Sequence, residues 1–500
     1  MVVNPRSYYI WTIGCQMNVA DSERVAALLE SANMRPAATL QQADVIILNS
    51  CVVRQGAEDK VIGELGMLKS LKQRRPDVLL GLMGCMVTDE TRPALEKRFP
   101  HVDVFFNVLE TDRLLAKLGN GHDRPTASQS AGHALATTQM PEASDQAGPW
   151  SGENGVEFGA ETGQAWYPGL APEFLDAHAL GPTKYVPVIY GCNMHCTFCI
   201  IPSRRGRERS RPLAEILAEA RRLAEHGVRE ITLLGQTVDA YGHDLPPSAD
   251  AIRFAPLSED DRSRRPDLAD LLAALSDIPD LRRLRFLTSH PLWMTDRIIS
   301  AVAQLPKVCP CINIPVQAGH DDILAAMRRG YTVDRYRRLV DKIRAAIPGV
   351  AVTTDLIVGF PGESEEHFLA SYRLIEEIAF DVVHVAAFSP RPGTVAARLA
   401  DDVPLEEKKR RLQAIETLQE GIARRINERL VGSTVEILVE GAVKGKWMGR
   451  TRTDKIVFFE DDGQWTGKLV NVRIEKAGPW SLQGIVQTCA DHRAAEVESP

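Results

Sequence analysis

The stretch DVIILNSC, residues 44–51, decides how the first part of the chain is read. An apolar, β-branched run of this length is a strand buried on both faces. It closes in a cysteine, at the end where a parallel sheet keeps its chemistry. The pattern occurs twice more, as YYIWTIGC (8–15) and VLLGLMGC (78–85), with helix-like segments at 22–31 and 56–73 between the three. Strand, helix, strand, helix, strand is the order of a parallel sheet, and right-handed crossovers bring all strand C-termini to one edge. Cys15, Cys51 and Cys85 are therefore expected to converge although they lie far apart in sequence. One buried cysteine is ordinary. Three at the same structural position point to a metal site.

The 500 residues are enough for several domains and a large buried core. The N-terminus, MVVNPRSYYIWTIG, lacks a basic region followed by a long apolar stretch, and no apolar run reaches the length of a membrane span. A cytoplasmic protein with no membrane partner is expected. Nine cysteines without an export signal argue against a disulfide framework and for metal or catalytic use. A net charge of −7 gives no overall sign of a nucleic-acid partner, so such a partner has to be read from local patches.

Beyond residue 120 the periodicity disappears, and 121–177 reads as a flexible linker rich in Gly, Ala, Ser and Thr. A second break at 244–267, acidic and proline-bearing, reads as a surface loop inserted in the central domain. Around it six strands, at 185–190, 230–235, 283–289, 311–316, 352–359 and 381–388, alternate with amphipathic helices. Six βα units form either an open doubly wound sheet or a partial (β/α) barrel, with function at the strand C-termini. After a charged helix at 405–430 the period changes to two, as in a small antiparallel β domain. The expected α/β architecture therefore has domains at 6–120, 178–416 and 427–489.

The segment GCNMHCTFC (191–199) carries the most specific chemistry. Cys192, Cys196 and Cys199 form C-x3-C-x2-C directly after the first central strand, and thiolate-rich sites select zinc or iron–sulfur clusters. A zinc site would need a fourth ligand, for which His195 is at hand, but closed zinc sites usually draw on two separated ligand pairs. Three thiolates leave one iron of a cubane cluster open to a substrate or cofactor.

This motif at the mouth of a partial barrel resembles the radical S-adenosylmethionine (SAM) superfamily. The three strand-end cysteines resemble the N-terminal domain of methylthiotransferases, and the C-terminal β segment resembles the TRAM module, an RNA-binding barrel. GCQMNVADSE (14–23), NSCVVRQGAEDK (49–60), LGQTVDAYG (234–242), FLTSHP (286–291) and FSPRPGTVAA (388–397) are similar to the branch acting on N6-dimethylallyladenosine of tRNA. The resemblance implies two [4Fe–4S] clusters: an auxiliary one on Cys15, Cys51 and Cys85, and one on Cys192, Cys196 and Cys199 at which SAM is cleaved. It also implies the reaction. One SAM methylates sulfur held at the auxiliary cluster, another yields a 5′-deoxyadenosyl radical, and sulfur joins C2 of the adenine at position 37 in the tRNA anticodon loop. An external electron donor and a sulfur source are implied partners, and a monomer is expected. Alternative targets are threonylcarbamoyl-adenosine of tRNA or a ribosomal-protein aspartate. An alternative of another class is an iron–sulfur RNA-binding sensor without catalysis.

The resemblance further implies SAM contacts at Phe198, at Gly235 and Gln236 in LLGQ, and at Gly359, Gly362 and Glu363 in IVGFPGE. SRRGRERSR (203–211) is either a solvated charged loop or a set of arginines for the SAM carboxylate or RNA phosphates. KGKWMGRTRTDK (444–455) mixes cations with an aromatic ring, which suits backbone contact and base stacking, and nominates Lys444, Lys446, Trp447, Arg450 and Arg452 for RNA. Cys309, Cys311 and Cys489 read as structural. VQAGHDD (316–322) departs from the family's VQSGS-like wording, with His320 where serine is usual.

Overall fold

The computed structural model describes residues 6–52, 55–119, 180–248, 252–254 and 265–487. The expected linker at 121–177, most of the inserted loop and Cys489 lie outside the described residues.

The N-terminal part is a five-stranded parallel sheet in the order β2-β1-β3-β4-β5, made of β1 (Ser7–Ile13), β2 (Arg35–Pro36), β3 (Val45–Ser50), β4 (Leu79–Gly84) and β5 (Val104–Phe106). All six residues of β3 are buried, and its side chains alternate between two cores. Val45 and Ile47 pack with Val25 and Leu29 of the helix Gln16–Ser31, while Ile46 and Leu48 pack with Val61, Leu65 and Leu68 of the helix Gln55–Arg74. Burying each such side chain contributes about 1.5–3 kcal/mol, which holds the strand's register firmly. The last residues of β1, β3 and β4 lie side by side, Ile13 against Ser50 and Ser50 against Gly84, so the three cysteines leave the sheet at one level.

The central part holds two three-stranded parallel sheets. One has the order β10-β9-β6, formed by β6 (Thr183–Pro187), β9 (Glu230–Leu234) and β10 (Arg283–Phe286). The other has the order β11-β12-β13, formed by β11 (Cys311–Asn313), β12 (Ala351–Val358) and β13 (Val382–Ala387). A parallel bridge from Leu284 to Val308 joins the sheets on the β10 side, leaving β6 and β13 as the end strands. This is a partial barrel of six βα units with one open seam. The run expected as a single strand at 185–190 is broken at Val188, whose amide turns to the Leu234 carbonyl. Its second half, β7 (Ile189–Tyr190), pairs instead with β8 (Arg209–Ser210) and clamps the cysteine-bearing loop between them.

The helix Leu405–Glu428 leads to a closed barrel in the order β14-β15-β16-β18-β17, made of β14 (Thr434–Val443), β15 (Lys446–Thr451), β16 (Ile456–Phe459), β17 (Leu469–Ala477) and β18 (Leu482–Val486). As expected its strands pair antiparallel, except that β16 and β18 pair in parallel where the sheet closes. Its core is aliphatic with Phe459. Two fully or nearly buried arginines of β10 fasten it to the foot of the central barrel. Arg283 donates to the carbonyls of Arg450 and Glu436, and Arg285 to those of Thr451 and Arg452. No helix among the described residues is long and apolar enough to cross a membrane.

Candidate active site

Cys192, Cys196 and Cys199 sit on a loop that glycine makes possible. Gly191 has φ of 80°, and a Cβ there would lie 2.1 Å from the Arg207 carbonyl oxygen. The Cys192 amide donates to the Gly206 carbonyl at 3.1 Å, and Asn193 and Glu208 exchange two hydrogen bonds across the loop. Thr197 is pinned to the carbonyls of Met327 and Ala326. Burial raises the Cys192 thiol and pushes Cys199 up to about 12. The Cys196 sulfur accepts from Arg329 at 3.2 Å. His195, the alternative zinc ligand, is exposed on the loop.

The other three thiols meet above the N-terminal sheet. Cys15 begins the helix Gln16–Ser31 as its N-cap. A hydrogen bond with Cys51 lowers its thiol to about 6, burial opposes this, and the Arg205 charge lowers it further. Cys85 follows Gly84, whose φ of 101° and close approach to the Ser50 carbonyl oxygen exclude a side chain. Its sulfur accepts from Arg205 Nε at 3.2 Å. Two fully buried asparagines lock the loops together: Asn18 donates to the Asn49 side chain and to the Ser50 carbonyl, and Asn49 donates to the Asn18 carbonyl and to Ser22 Oγ. Their signal lay in the sequence as C-x-x-N and N-S-C, but the cysteines alone drew the reading.

Both sets face one cavity of about 1040 Å3, lined by Cys15, Cys51, Cys85, Cys192 and Cys199 among others. A single tetrahedral ion with bonds of about 2.3 Å would draw its sulfurs to roughly 4 Å from one another. Among the described residues the one group with ligand atoms all within 4.8 Å is His320, Asp322 and His367. Neither cysteine set meets that distance among the described residues. The histidines have another role, since each accepts a backbone N–H at the start of a helix, His320 from Asp322 and His367 from Ser364. Helix N-termini carry positive partial charge and disfavour a cation there.

Of the residues nominated for SAM, Phe198, Gly235 and Gln236 line the cavity, and Gln236 Oε1 accepts the Gly191 amide at 2.6 Å. Gly359, Gly362 and Glu363 do not line it. Glu363 closes its own turn by accepting the Gly359 amide and is paired with Arg411 at 2.8 Å, while Gly362 donates to Asp402. These three position the loop after β12 against the helix Leu405–Glu428.

The nominated RNA contacts divide in a similar way. Arg452 donates to the carbonyls of Pro306 and Val308 across the junction with the central part, and Arg450 pairs with Glu440 and Asp454 within the small barrel. Lys446 pairs with Glu460, and the Trp447 indole donates to the Asp461 carbonyl. Lys444 is exposed at a turn.

Three family models match the chain: the Radical SAM superfamily over 186–375, Uncharacterized protein family UPF0004 over 7–107, and the TRAM domain over 428–486. The chain is 48% identical over 485 residues to the tRNA-2-methylthio-N(6)-dimethylallyladenosine synthase of Roseiflexus sp. (strain RS-1), covering 96% of this chain and 90% of that protein. It is 46% identical over 486 residues to the protein so named in Chloroflexus aurantiacus, covering 96% and 92%. With that of Herpetosiphon aurantiacus the identity is 44% over 481 residues, covering 95% and 96%. Likeness of this extent, through all three parts of the molecule, places the chain in the tRNA-2-methylthio-N(6)-dimethylallyladenosine synthase family.

Proposed function

We propose that the chain is a SAM-dependent tRNA methylthiotransferase that places a methylthio group on C2 of N6-dimethylallyladenosine, just 3′ of the anticodon. The observation that carries this reading is the single cavity onto which two separate cysteine sets open. As a radical SAM enzyme the chain uses a [4Fe–4S] cluster and SAM. We assign Cys192, Cys196 and Cys199 to hold that cluster, and Cys15, Cys51 and Cys85 to hold a second [4Fe–4S] cluster.

The residues present fit such groups. Thiol-only donor sets suit iron–sulfur centres, and Cys85, Cys192 and Cys199, whose thiols burial raises, release their protons when iron binds. When bound, the clusters and SAM supply the one-electron and sulfur chemistry that side chains lack. The protein's part is placement. Arg329 donates to Cys196, Gln236 holds the cysteine loop at Gly191, and the apolar wall of Phe198, Leu287 and Leu356 keeps water from reactive species.

The domains run over 6–120, 178–416 and 427–489 in this reading. A cytoplasmic monomer takes electrons from an external donor and sulfur from a separate source. The test is mass spectrometry of nucleosides from hypomodified tRNA incubated anaerobically with reconstituted protein, SAM, sulfide and a reductant. A methylthio mass gain on dimethylallyl-adenosine is expected. Gain on threonylcarbamoyl-adenosine, or none on any tRNA nucleoside, overturns the substrate assignment. Wild-type protein should hold about eight irons and Cys51→Ser about four; four in both would overturn the second cluster.

A further inference from the structure

Arg329 is 4% exposed, and each of its three nitrogens has a partner. Nε donates to the Tyr331 hydroxyl at 2.9 Å, Nη2 to the Pro315 carbonyl at 3.2 Å and Nη1 to Cys196 Sγ at 3.2 Å. No carboxylate among the described residues pairs with it. Its other neighbours supply no compensating charge. Burial, helped by the Arg329 charge, pushes the His290 imidazole down to about 3, and burial raises the Asp239 carboxyl, which favours the neutral form. Arg205 makes the contrast. It too donates to a cysteine sulfur, Cys85 at 3.2 Å, but Asp21 pairs with it at 2.9 Å.

The backbone fixes where this guanidinium points. Arg329 lies between Arg328 at φ 54° and Gly330 at φ 73°, and its amide donates to the Leu324 carbonyl at the end of the helix Asp321–Ala326. A left-handed residue other than glycine persists only where its surroundings hold it there. The same turn offers the Ala326 and Met327 carbonyls to Thr197, so the cysteine loop and the cation share one frame. A buried charge without an ion partner is unfavourable. This one is aimed at a sulfur that becomes a thiolate when iron binds, and its charge stabilises any further electron density placed there. Hydrogen bonds to the sulfurs, net charge and burial are what set the reduction potential of an iron–sulfur cluster.

We propose that Arg329 is a positioning residue that raises the reduction potential at Cys192, Cys196 and Cys199, so that an external low-potential donor can reduce the cluster held there. This rests on the reading of those three cysteines as cluster ligands. The donor gives up one electron and is oxidised, the cluster gains it and becomes more negative by one charge, and no bond is made or broken. The guanidinium favours the more negative of the two states.

Full-length protein carrying Cys51→Ser, which leaves one cluster to observe, is reconstituted anaerobically without SAM. It is titrated with dithionite and redox mediators while the electron paramagnetic resonance of the reduced cluster is followed. Arg329→Gln keeps a donor and loses the charge. It should make reduction harder by about tenfold to a hundredfold, or about 60–120 mV at 59 mV per tenfold for one electron. Arg329→Met fills similar space without charge and should shift the midpoint in the same direction. Arg329→Lys keeps the charge without the fork and should stay within about threefold of the parent protein. An unchanged midpoint in Arg329→Gln or Arg329→Met overturns the proposal. So does a midpoint in Arg329→Lys shifted as far as in Arg329→Gln, which would leave the charge without effect. Loss of iron from both neutral variants would make Arg329 a scaffold residue and overturn it equally. Iron retained in full by Cys196→Ala would instead remove the ligand assignment on which the proposal rests.

Discussion

Gly191 allows the cysteine loop to close because no other residue fits between it and the Arg207 carbonyl. Gly191→Ala should destabilise the protein by about 2–4 kcal/mol, the sum of left-handed strain and displaced backbone, and should strip iron from Cys192, Cys196 and Cys199. Thermal unfolding and iron content check both effects. Cys15 gives a prediction with a definite sign. With its thiol lowered to about 6, the metal-free protein carries a thiolate there at neutral pH. Alkylation by iodoacetamide should therefore rise through pH 6 and level off by about pH 7.5, while an ordinary thiol is still gaining reactivity. Cys199, held up to about 12, should stay unlabelled under the same conditions. Peptide mapping after brief labelling reads the order, and equal labelling of the two would contradict it. The six cysteines were legible because period and spacing placed them. Arg205, Arg329, Asn18 and Asn49 were not, because their partners come from distant segments.

Strand β10 shows what periodicity can and cannot show. RLRF lies inside the run read as a strand, and it is one, but pattern alone gives no reason for two arginines buried at alternate positions. Their partners explain them. Arg285 pairs with Glu230 of β9 at 2.8 Å, and both arginines cap carbonyls of the small barrel. Replacing Arg285 with Met leaves Glu230 buried with only Arg283, at 3.9 Å, as a cation and should cost about 3 kcal/mol. Arg285→Met with Glu230→Gln should recover at least half of that loss in denaturant unfolding, since the unpaired charge, and not the missing pair, is the larger penalty. No recovery would locate the loss in the carbonyl contacts. The break at Val188 escaped notice for a related reason, since an apolar run looks the same whether it stays in one sheet or changes partner midway.

At the scale of the molecule, the order of three parts was readable from changes of period along the chain, but their docking was not. Lys184 meets Glu23 at 2.7 Å and Arg391 meets Glu58 at 3.6 Å, each across the junction of the N-terminal and central parts. Of the cations nominated for RNA, Arg452 is spent on the junction with the small barrel and Arg450 on ion pairs within it. RNA affinity should therefore change little with Lys446→Ala. Its dependence on salt should match about two to four phosphate contacts, in place of the steep dependence of a basic module. Binding isotherms at several salt concentrations measure this slope.

The small barrel has a further consequence. Glu440, Arg450, Asp454, Lys455 and Trp480 form part of the cavity wall, beside Cys311 at the foot of the central strands and at the opposite end from Cys15, Cys51, Cys85, Cys192 and Cys199. The module thus closes the base of the cavity. A chamber corked at its base wastes little fuel while idle, and one with a loose cork leaks. Loosening the joint with Arg283→Met should raise the SAM consumed per base modified by several-fold, even with tRNA at saturation.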